Sequence, residues 1–254
     1  VVVHLKNEIE AELEKVKSLG FETCQLVCWN EELFTDEMAE NVKNAVSASK
    51  VEITAFWCGW SGPAIWNFYE GPETLGLVPA AYRFDRMKTL CKGSDFAKKI
   101  GVAHLVTHLG FIPENPNSPE YKGVLEAVRY VARHCSKNGQ YFLFETGQET
   151  PVALKRLIED SKMDNLGINL DPANLLLYGK ANPVDALDVF GEYVKGVHAK
   201  DGEYPVNGRE LGEEKPLGKG RVHFEVLVPK LKELGYDGAL TIEREISGDE
   251  QIKD

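Results

Sequence analysis

The chain has 254 residues and a formal net charge of −11, with 40 acidic residues against 29 Lys and Arg residues. This acidic balance excludes the broad basic surface that binds a nucleic acid backbone, so we expect no nucleic acid partner. The length suits one eight-stranded α/β barrel, and no linker rich in Ser, Gly or Pro interrupts it, so we expect a single domain over residues 1–254.

Strand-like apolar runs alternate with helical patterns along nearly the whole chain. The predicted strands are Val1–Leu5, Thr23–Cys28, Glu52–Cys58, His104–Leu109, Tyr141–Glu145, Leu166–Asp171, Val194–Ala199 and Ala239–Glu243. The predicted helices are Asn7–Leu19, one that opens at Thr35 and Asp36, Arg83–Ile100, Pro119–Lys137, Pro151–Ser161, Pro183–Tyr193 and Phe224–Leu234. This alternation with short connections predicts a parallel (β/α)8 TIM barrel.

Two connections are longer than a minimal barrel needs, namely residues 59–80, rich in Gly, Pro and aromatic residues, and residues 202–222, rich in Gly and charge. Both follow strands, so we expect them to lie over the C-terminal mouth of the barrel. Few residues follow Glu245, so we expect an eighth helix that is short or truncated. A homo-oligomer in which a second subunit covers that outer face is an open alternative. Pro229 predicts that the last helix starts late or kinks.

The cysteines and the apolar segments bear on where the protein works. The five cysteines form no CxxC pair and lie mainly in apolar runs, which is typical of a reduced cytoplasmic protein with buried thiols. No stretch is long and apolar enough to span a bilayer, and the N-terminus lacks the layout of a signal peptide. We therefore expect a cytoplasmic protein with no membrane partner.

Each of the last four predicted strands ends in a side chain that can bind a metal. These are Glu145 in YFLFETG, Asp171 in GINLDPAN, His198 in KGVHAKDG and Glu243 in ALTIERE. Residues two apart share a strand face, and in each segment the face opposite the ligand is apolar. Because neighbouring barrel strands end at one mouth, we predict that the four side chains form one metal site. Three carboxylates and one imidazole favour Mn²⁺ or Mg²⁺, with Co²⁺ and Zn²⁺ as alternatives.

Four further side chains are candidate substrate contacts at the same mouth. His108 ends the fourth strand. Lys200 follows His198 by two residues at the end of the seventh strand, so it shares that face and would place a cation near a developing oxyanion. Trp29 and Trp57 lie at the ends of strands two and three, and aromatic faces pack against the C–H faces of sugars. The sequence GKGR at 218–221 has the glycines of a phosphate cradle, but a turn-shaping role is favoured for it.

The segments FETG, LDPANLL, GVHAKDG, PLGKGRVHF and LGYDGALTIERE resemble the xylose-isomerase-like TIM barrels, a superfamily of sugar isomerases, ketose 3-epimerases, inosose dehydratases and endonuclease IV. The resemblance covers essentially the whole chain in order. In the isomerase and epimerase branch it implies that the matching Glu, Asp, His and Glu bind one divalent metal, and that Glu145 and Glu243 exchange protons on opposite faces of a cis-enediolate. Asn174, a further candidate substrate contact, stands where the ketose epimerases often have a histidine.

The leading hypothesis is a metal-dependent isomerase or epimerase that acts on a sugar, sugar phosphate or polyol by proton transfer next to a carbonyl. A Lewis acid stabilises the oxyanion that grows as the C–H proton leaves, and a nearby carboxylate takes that proton. An inosose-dehydratase-type lyase is the alternative, because the same enolate can expel a β-hydroxyl. A non-catalytic sugar-binding barrel is less favoured. Endonuclease IV chemistry is disfavoured by AFWCGW, which stands where a histidine motif is needed.

Overall fold

In a computed structural model that describes residues 1–246, 248 and 251, eight parallel strands form one sheet whose order follows the chain. The strands are β1 (Val2–His4), β2 (Thr23–Cys28), β3 (Glu52–Cys58), β4 (His104–His108), β5 (Tyr141–Glu145), β6 (Leu166–Leu170), β7 (Val194–Ala199) and β8 (Leu240–Ile242). Within the described residues no backbone ladder joins β8 to β1, so the barrel is nearly closed. The predicted TIM barrel is confirmed.

Seven helices surround the strands within the same described part of the chain. They are α1 (Ile9–Ser18), α2 (Asp36–Ser49), α3 (Ala80–Lys99), α4 (Pro119–Lys137), α5 (Pro151–Ser161), α6 (Pro183–Phe190) and α7 (Phe224–Glu233). Four of them begin at a residue whose side chain accepts a backbone N–H of the first turn, namely Thr35, Ser118, Thr150 and Asn182. Such caps satisfy amide groups that have no partner inside the helix and so fix where each helix starts.

The apolar side chains form two layers, one between strands and helices and one inside the barrel. On β5, Phe142 and Phe144 face the helices, whereas Leu143 belongs to the inner cluster with Val106 and Trp57. This is the alternation that the sequence predicts for a strand whose inner face ends in a ligand. Burying each phenylalanine contributes roughly 2 kcal/mol.

Several details differ from the expectations. Two short helices, Gly71–Thr74 and Pro172–Leu177, and a small hairpin of Asp201–Gly202 with Glu214–Lys215 form within stretches expected to be connections. The expected late start of α7 is wrong, since the helix runs through Pro229. The proline lies on the exposed side, as does Glu225, so water can hydrate the carbonyl that the proline ring leaves without a donor. The expected short eighth helix falls largely outside the described residues.

Two further findings concern the cysteines and the membrane. Cys24, Cys28, Cys58, Cys91 and Cys135 all carry free thiols, and all but Cys91 are buried. Burial raises the pKa of Cys24 and Cys135 to about 12, which keeps these thiols protonated and unreactive. In the described part of the chain, no helix combines the length and apolar character needed to cross a bilayer.

Candidate metal centre at the barrel mouth

The four predicted ligands come together at the C-terminal ends of β5, β6, β7 and β8. One ligand atom from each of Glu145, Asp171, His198 and Glu243 lies within 4.8 Å of the others. The imidazole is central, since its Nδ1 is 3.5 Å from Glu145 Oε1, 3.8 Å from Asp171 Oδ2 and 3.2 Å from Glu243 Oε2. The geometry therefore brings three carboxylates and one ring nitrogen around one point.

Two atoms of this cluster are buried without any hydrogen-bond partner among the described residues. They are Asp171 Oδ2 and His198 Nδ1, on residues that are 0% and 1% exposed. A buried polar atom without a partner is costly, and a group that binds there removes the cost. An oxygen-rich set with one imidazole fits a divalent cation of the Mg²⁺ or Mn²⁺ type.

The helix Pro172–Leu177 sets the direction of the Asp171 side chain. Asp171 is the N-cap of this helix, and its Oδ1 accepts a hydrogen bond of 2.9 Å from the backbone N–H of Asn174. With Oδ1 engaged, Oδ2 is the oxygen that faces the cluster. The sequence analysis identified the carboxylate as a strand-end ligand but missed the helix that orients it.

The other ring nitrogen of His198 lies against two buried polar side chains that the sequence analysis did not select. His198 Nε2 is 2.9 Å from Gln25 Oε1, and the Asn169 amide lies 3.0 Å from the same nitrogen. Gln25 Nε2 in turn donates to Asn169 Oδ1 over 2.9 Å. In the neutral ring, donation from Nε2 to Gln25 leaves the Nδ1 lone pair free for a cation, the usual second-shell arrangement of a metal-binding histidine. Without a cation, burial lowers the pKa of His198, but the charges of Glu243 and Glu145 outweigh it and raise that pKa well above its usual value, so the ring is then protonated.

Glu145 is held on three sides. The Trp57 indole N–H donates to its Oε2, and Asn174 Nδ2 donates to its Oε1 over 3.4 Å. His108 lies beside it, with Nε2 3.4 Å from Oε1 and Nδ1 3.1 Å from the Glu145 carbonyl oxygen. Burial by itself raises the pKa of this carboxyl, but the charges of His108 and His198 outweigh burial and hold the pKa well below its usual range.

Lys200 is buried among three carboxylates of the mouth. Its Nζ is 3.2 Å from Glu243 Oε2, 3.6 Å from Asp171 Oδ2 and 2.5 Å from Glu245 Oε2. Burial opposes ionisation of Glu243, yet Lys200 and His198 lower the pKa of that carboxyl to about 2. The sequence analysis missed Glu245, although it follows Glu243 by two residues and the alternation of side chains along a strand therefore predicts that both point the same way.

Aromatic side chains line the other side of the mouth. The Trp29 ring centroid is 5.0 Å from that of Trp57, 5.1 Å from that of Trp60 and 6.4 Å from that of Trp66. Trp29 and Trp66 are 39% and 40% exposed, so their faces are available to a ligand. Trp29, Trp57, Trp60 and Trp66 together form what we call the tryptophan wall. The His108 ring lies 5.2 Å from that of Trp66, between this wall and the carboxylates.

These side chains surround one cavity of about 1040 Å³, which also extends toward β1 and α1. Its lining includes seven of the predicted site residues, namely Trp29, Trp57, His108, Glu145, Asn174, Lys200 and Glu243. Asp171 and His198 contribute no surface to the lining and are nearly fully buried. The structure thus brings together all nine residues that the sequence analysis selected, with two of them beneath the cavity floor.

The segment at 218–221 has the structural role that the sequence favours. The backbone N–H groups of Gly218, Gly220 and Val222 donate to the carboxylate of Asp201 over 3.0, 3.0 and 3.1 Å. A Cβ on Gly220 would lie 2.2 Å from Asp201 Oδ1, so only glycine fits there. The carboxylate of Asp201 therefore occupies the place that a bound phosphate would need.

Glu149 provides a test of the electrostatics of the mouth. It is 3% exposed, and burial raises the pKa of its carboxyl to about 7 against the opposing charge of His108. A carboxyl whose pKa is higher in the folded than in the unfolded chain lowers the free energy of unfolding once the pH is high enough to ionise it. This loss grows from about pH 4.5 to about pH 7 and is complete above that. We expect Glu149→Gln in metal-free protein to raise the free energy of unfolding by up to about 3 kcal/mol at pH 8 and to change it little at pH 4.5.

Thermal or denaturant unfolding at the two pH values measures this effect. Glu14→Gln makes the same chemical change on the exposed side of α1 and serves as the matched control. Equal effects of Glu149→Gln at both pH values would contradict the assignment.

Comparisons with known proteins agree with this architecture. The sequence profile of the family described as "Xylose isomerase-like TIM barrel" matches residues 13–254. The crystal structure of a xylose isomerase domain protein from Planctomyces limnophilus superposes with a TM-score of 0.93 at 36% identity, covering 100% of this chain and 91% of that one. The uncharacterized protein MJ1311 of Methanocaldococcus jannaschii is 36% identical over 95 residues, so this chain matches only 31% of that curated relative's length.

Two more distant structures share the fold. A xylose isomerase-like TIM barrel protein from Mycobacterium smegmatis in complex with magnesium has a TM-score of 0.71 at 18% identity, covering 96% of this chain and 84% of that one. D-psicose 3-epimerase with D-tagatose from Clostridium cellulolyticum H10 has a TM-score of 0.71 at 17% identity, covering 98% of this chain and 85% of that one. By profile match and by full-length likeness, the chain belongs to the xylose isomerase-like TIM barrel family.

Proposed function

We propose that this protein is a divalent-metal-dependent isomerase or epimerase of a sugar or polyol, which moves a proton on the carbon next to a carbonyl. The observation that carries the proposal is that Glu145 and Glu243, from the ends of β5 and β8, each bring a carboxylate oxygen to His198 Nδ1, at 3.5 and 3.2 Å. Two carboxylates from different strands at one centre suit a reaction in which one takes a proton and the other returns it.

The metal-binding part of the proposal rests on the buried donor atoms. Glu145, Asp171, His198 and Glu243 would hold one cation, for which Mn²⁺ or Mg²⁺ is the favoured choice. When bound, the cation supplies positive charge that stabilises the oxyanion growing on the substrate as the proton leaves. The magnesium complex of the Mycobacterium smegmatis relative supports a divalent ion as the bound metal.

The chain's own residues would perform the proton transfer. Burial opposes ionisation of both side chains, but in metal-free protein neighbouring positive charges lower the pKa of Glu145 and of Glu243, so both are carboxylates at neutral pH and either could accept the first proton. The buried ammonium of Lys200 faces the developing negative charge, and the His108 ring reaches the same place from the Glu145 side. The stereochemistry of the substrate decides which glutamate acts first.

Substrate binding would use the tryptophan wall and the amide of Asn174. Trp29 offers an exposed ring face for the C–H groups of a sugar, while the indole N–H of Trp57 already donates a hydrogen bond to Glu145. Asn174 lies between Glu145 and Lys200, with 3.4 Å to a polar atom of each. The D-psicose 3-epimerase of Clostridium cellulolyticum H10, whose structure contains D-tagatose, supports a small sugar as the substrate class.

Exchange of carbon-bound hydrogen tests the proposal directly. Protein loaded with Mn²⁺ is incubated in deuterated water with ketoses, aldoses and inososes, and the carbons next to each carbonyl are followed by NMR. We expect deuterium at one such carbon, and none after the metal has been removed with a chelator. A panel without any exchange would contradict the proposal.

A lyase that expels a β-hydroxyl from the same enolate is the second candidate. The buried ammonium of Lys200 favours it, because this group can protonate a departing hydroxyl. A dehydrated, ultraviolet-absorbing product in place of an epimer or isomer would identify the lyase.

A further inference from the structure

A second group of buried polar atoms lines the same cavity without contacting the four metal-ligand side chains through any hydrogen bond. Gln148, in the segment after β5, is 1% exposed, and Tyr178, just after the helix Pro172–Leu177, is 5% exposed. Gln148 Nε2, Gln148 Oε1 and the Tyr178 hydroxyl have no hydrogen-bond partner among the described residues. The Gln148 amide therefore offers a donating NH₂ group and an accepting oxygen to the cavity, and Tyr178 offers a hydroxyl that can act as either.

Buried polar atoms without a hydrogen-bond partner destabilise the folded protein, and a polar ligand that binds to them removes this destabilisation. A buried amide or hydroxyl without a partner costs roughly 1–3 kcal/mol for each group. Burial raises the pKa of Tyr178 to about 12 against the opposing effect of the Gln148 amide, which approaches the hydroxyl without forming a hydrogen bond of standard geometry, so the two groups are neighbours. The phenol consequently stays neutral and keeps its donor hydrogen.

The position of these atoms relative to the metal centre is fixed by the short helix. Tyr178 donates its backbone N–H to the carbonyl of Asn174 over 3.0 Å, so it lies one helical turn, about 5.4 Å, beyond the residue that contacts Glu145. Its ring packs edge-on against Phe68 and Phe111, at centroid distances of 6.2 and 5.8 Å. The backbone of Tyr178 is thus placed one turn beyond Asn174, and its ring is held by these two aromatic contacts.

Lys200 and Lys180, the lysines whose charge reaches Tyr178 and Glu149, are already engaged, which favours an uncharged group at the subsite. The ammonium of Lys200 is already paired with Glu243 and Glu245. Lys180 lies over the Phe111 ring at 5.3 Å and contributes no surface to the cavity lining. The backbone donors at 218–222 are taken by Asp201.

We infer that Gln148 and Tyr178 form a subsite for a hydroxyl group on the substrate carbons away from the metal centre. The substrate is then a polyhydroxylated compound that carries no phosphate at that end. This inference rests on the proposed function for the orientation of the substrate, with its carbonyl toward Glu145 and Glu243.

Two substitutions that preserve shape test the subsite. Gln148→Met removes the amide atoms at nearly constant volume, and Tyr178→Phe removes only the hydroxyl. Tyr130→Phe, at a side chain that is 54% exposed on α4, is the matched control. Because both substitutions remove unpaired buried atoms, the thermal midpoint without ligand is expected to stay the same or rise in each variant.

Binding is measured by calorimetry on Mn²⁺-loaded protein with D-tagatose and with D-erythrulose, a shorter ketose that lacks the distal hydroxyls. Loss of one hydrogen bond predicts about a tenfold higher Kd for D-tagatose in each variant and an unchanged Kd for D-erythrulose. The Tyr130→Phe control is expected to match the wild type for both sugars.

Several results would overturn the subsite. They are an unchanged Kd for D-tagatose in both variants, an equal loss for both sugars, tighter binding of D-tagatose 6-phosphate than of D-tagatose, or no binding of D-tagatose by the wild type. Failure of the proposed function is separately visible, because differential binding without deuterium exchange would contradict the proton-transfer reaction and leave the subsite standing.

Discussion

Replacing Glu145 or Glu243 with glutamine is expected to reduce carbon-bound hydrogen exchange by about 10²–10⁴-fold, the range typical of losing a positioned general acid or base. Glutamine keeps the size of the side chain and one oxygen, but it accepts no proton at neutral pH. The Trp57 and Asn174 contacts to Glu145 use its two carboxylate oxygens, so the amide disturbs one of them at most. The barrel should therefore stay folded while turnover is lost.

Initial exchange rates, circular dichroism and the thermal midpoint together check this expectation. Glu14→Gln, the same change on an exposed helix face, is expected to exchange at the wild-type rate. If Glu243→Gln kept the wild-type rate, the two-carboxylate mechanism would be wrong. If a variant lost both exchange and its unfolding transition, the comparison would be made on the other glutamate.

Addition of a divalent cation to metal-free protein is expected to raise the thermal midpoint by on the order of 10 °C when the ion is at about 1,000 times its Kd. The reason is that the cation satisfies Asp171 Oδ2 and His198 Nδ1, which are buried without hydrogen-bond partners in the described structure. It also neutralises the carboxylate of Asp171, whose pKa is raised to about 6 by burial and, to a smaller extent, by the charges of Glu243 and Glu145. Scanning fluorimetry with Mn²⁺, Mg²⁺, Co²⁺ and Zn²⁺ measures the shift for each ion.

Asp171→Asn separates metal binding from folding. Asparagine retains the oxygen that caps the helix Pro172–Leu177 through the Asn174 N–H, so the local structure is expected to persist. It replaces the orphan oxygen by an amide nitrogen, which binds no cation. We expect this variant to be more stable than the wild type without metal and to gain little when metal is added. The exposed Asp164→Asn is the control, and a wild-type gain in Asp171→Asn would contradict the ligand assignment.

The strand ends were predictable because two independent patterns coincide there. A strand buried on its helix side must be apolar at every second residue, so a polar side chain at the end of the other face, such as Glu145 or His198, stands out. The order of ligands then follows from the rule that parallel barrel strands finish at one mouth. The helix starts were also readable, because Thr, Ser and Asn caps are local signals.

Other parts of the site leave no such local trace. Gln25 sits in the middle of an apolar strand, and only the register across the barrel shows that it faces His198. Gln148 follows its strand by three residues in a connection where polar residues are ordinary, so its burial appears only in three dimensions. The helix Pro172–Leu177 is almost entirely apolar and buried on all sides, so it shows no amphipathic periodicity.

Trp57 links two parts of the site that sequence reasoning treats as separate. It was selected as a sugar-facing aromatic residue, but its indole N–H donates to Glu145, and its ring also packs against Trp29. A substitution that reshapes the pocket at this position therefore also alters the basicity of a proton-transferring carboxylate. If the tryptophan wall changes so that the protein accepts a new substrate, a substitution of Trp57 would also lower the reaction rate, whereas a substitution of Trp29 would not. Adaptation to a new substrate is therefore expected to change the exposed tryptophans first and to leave Trp57 unchanged.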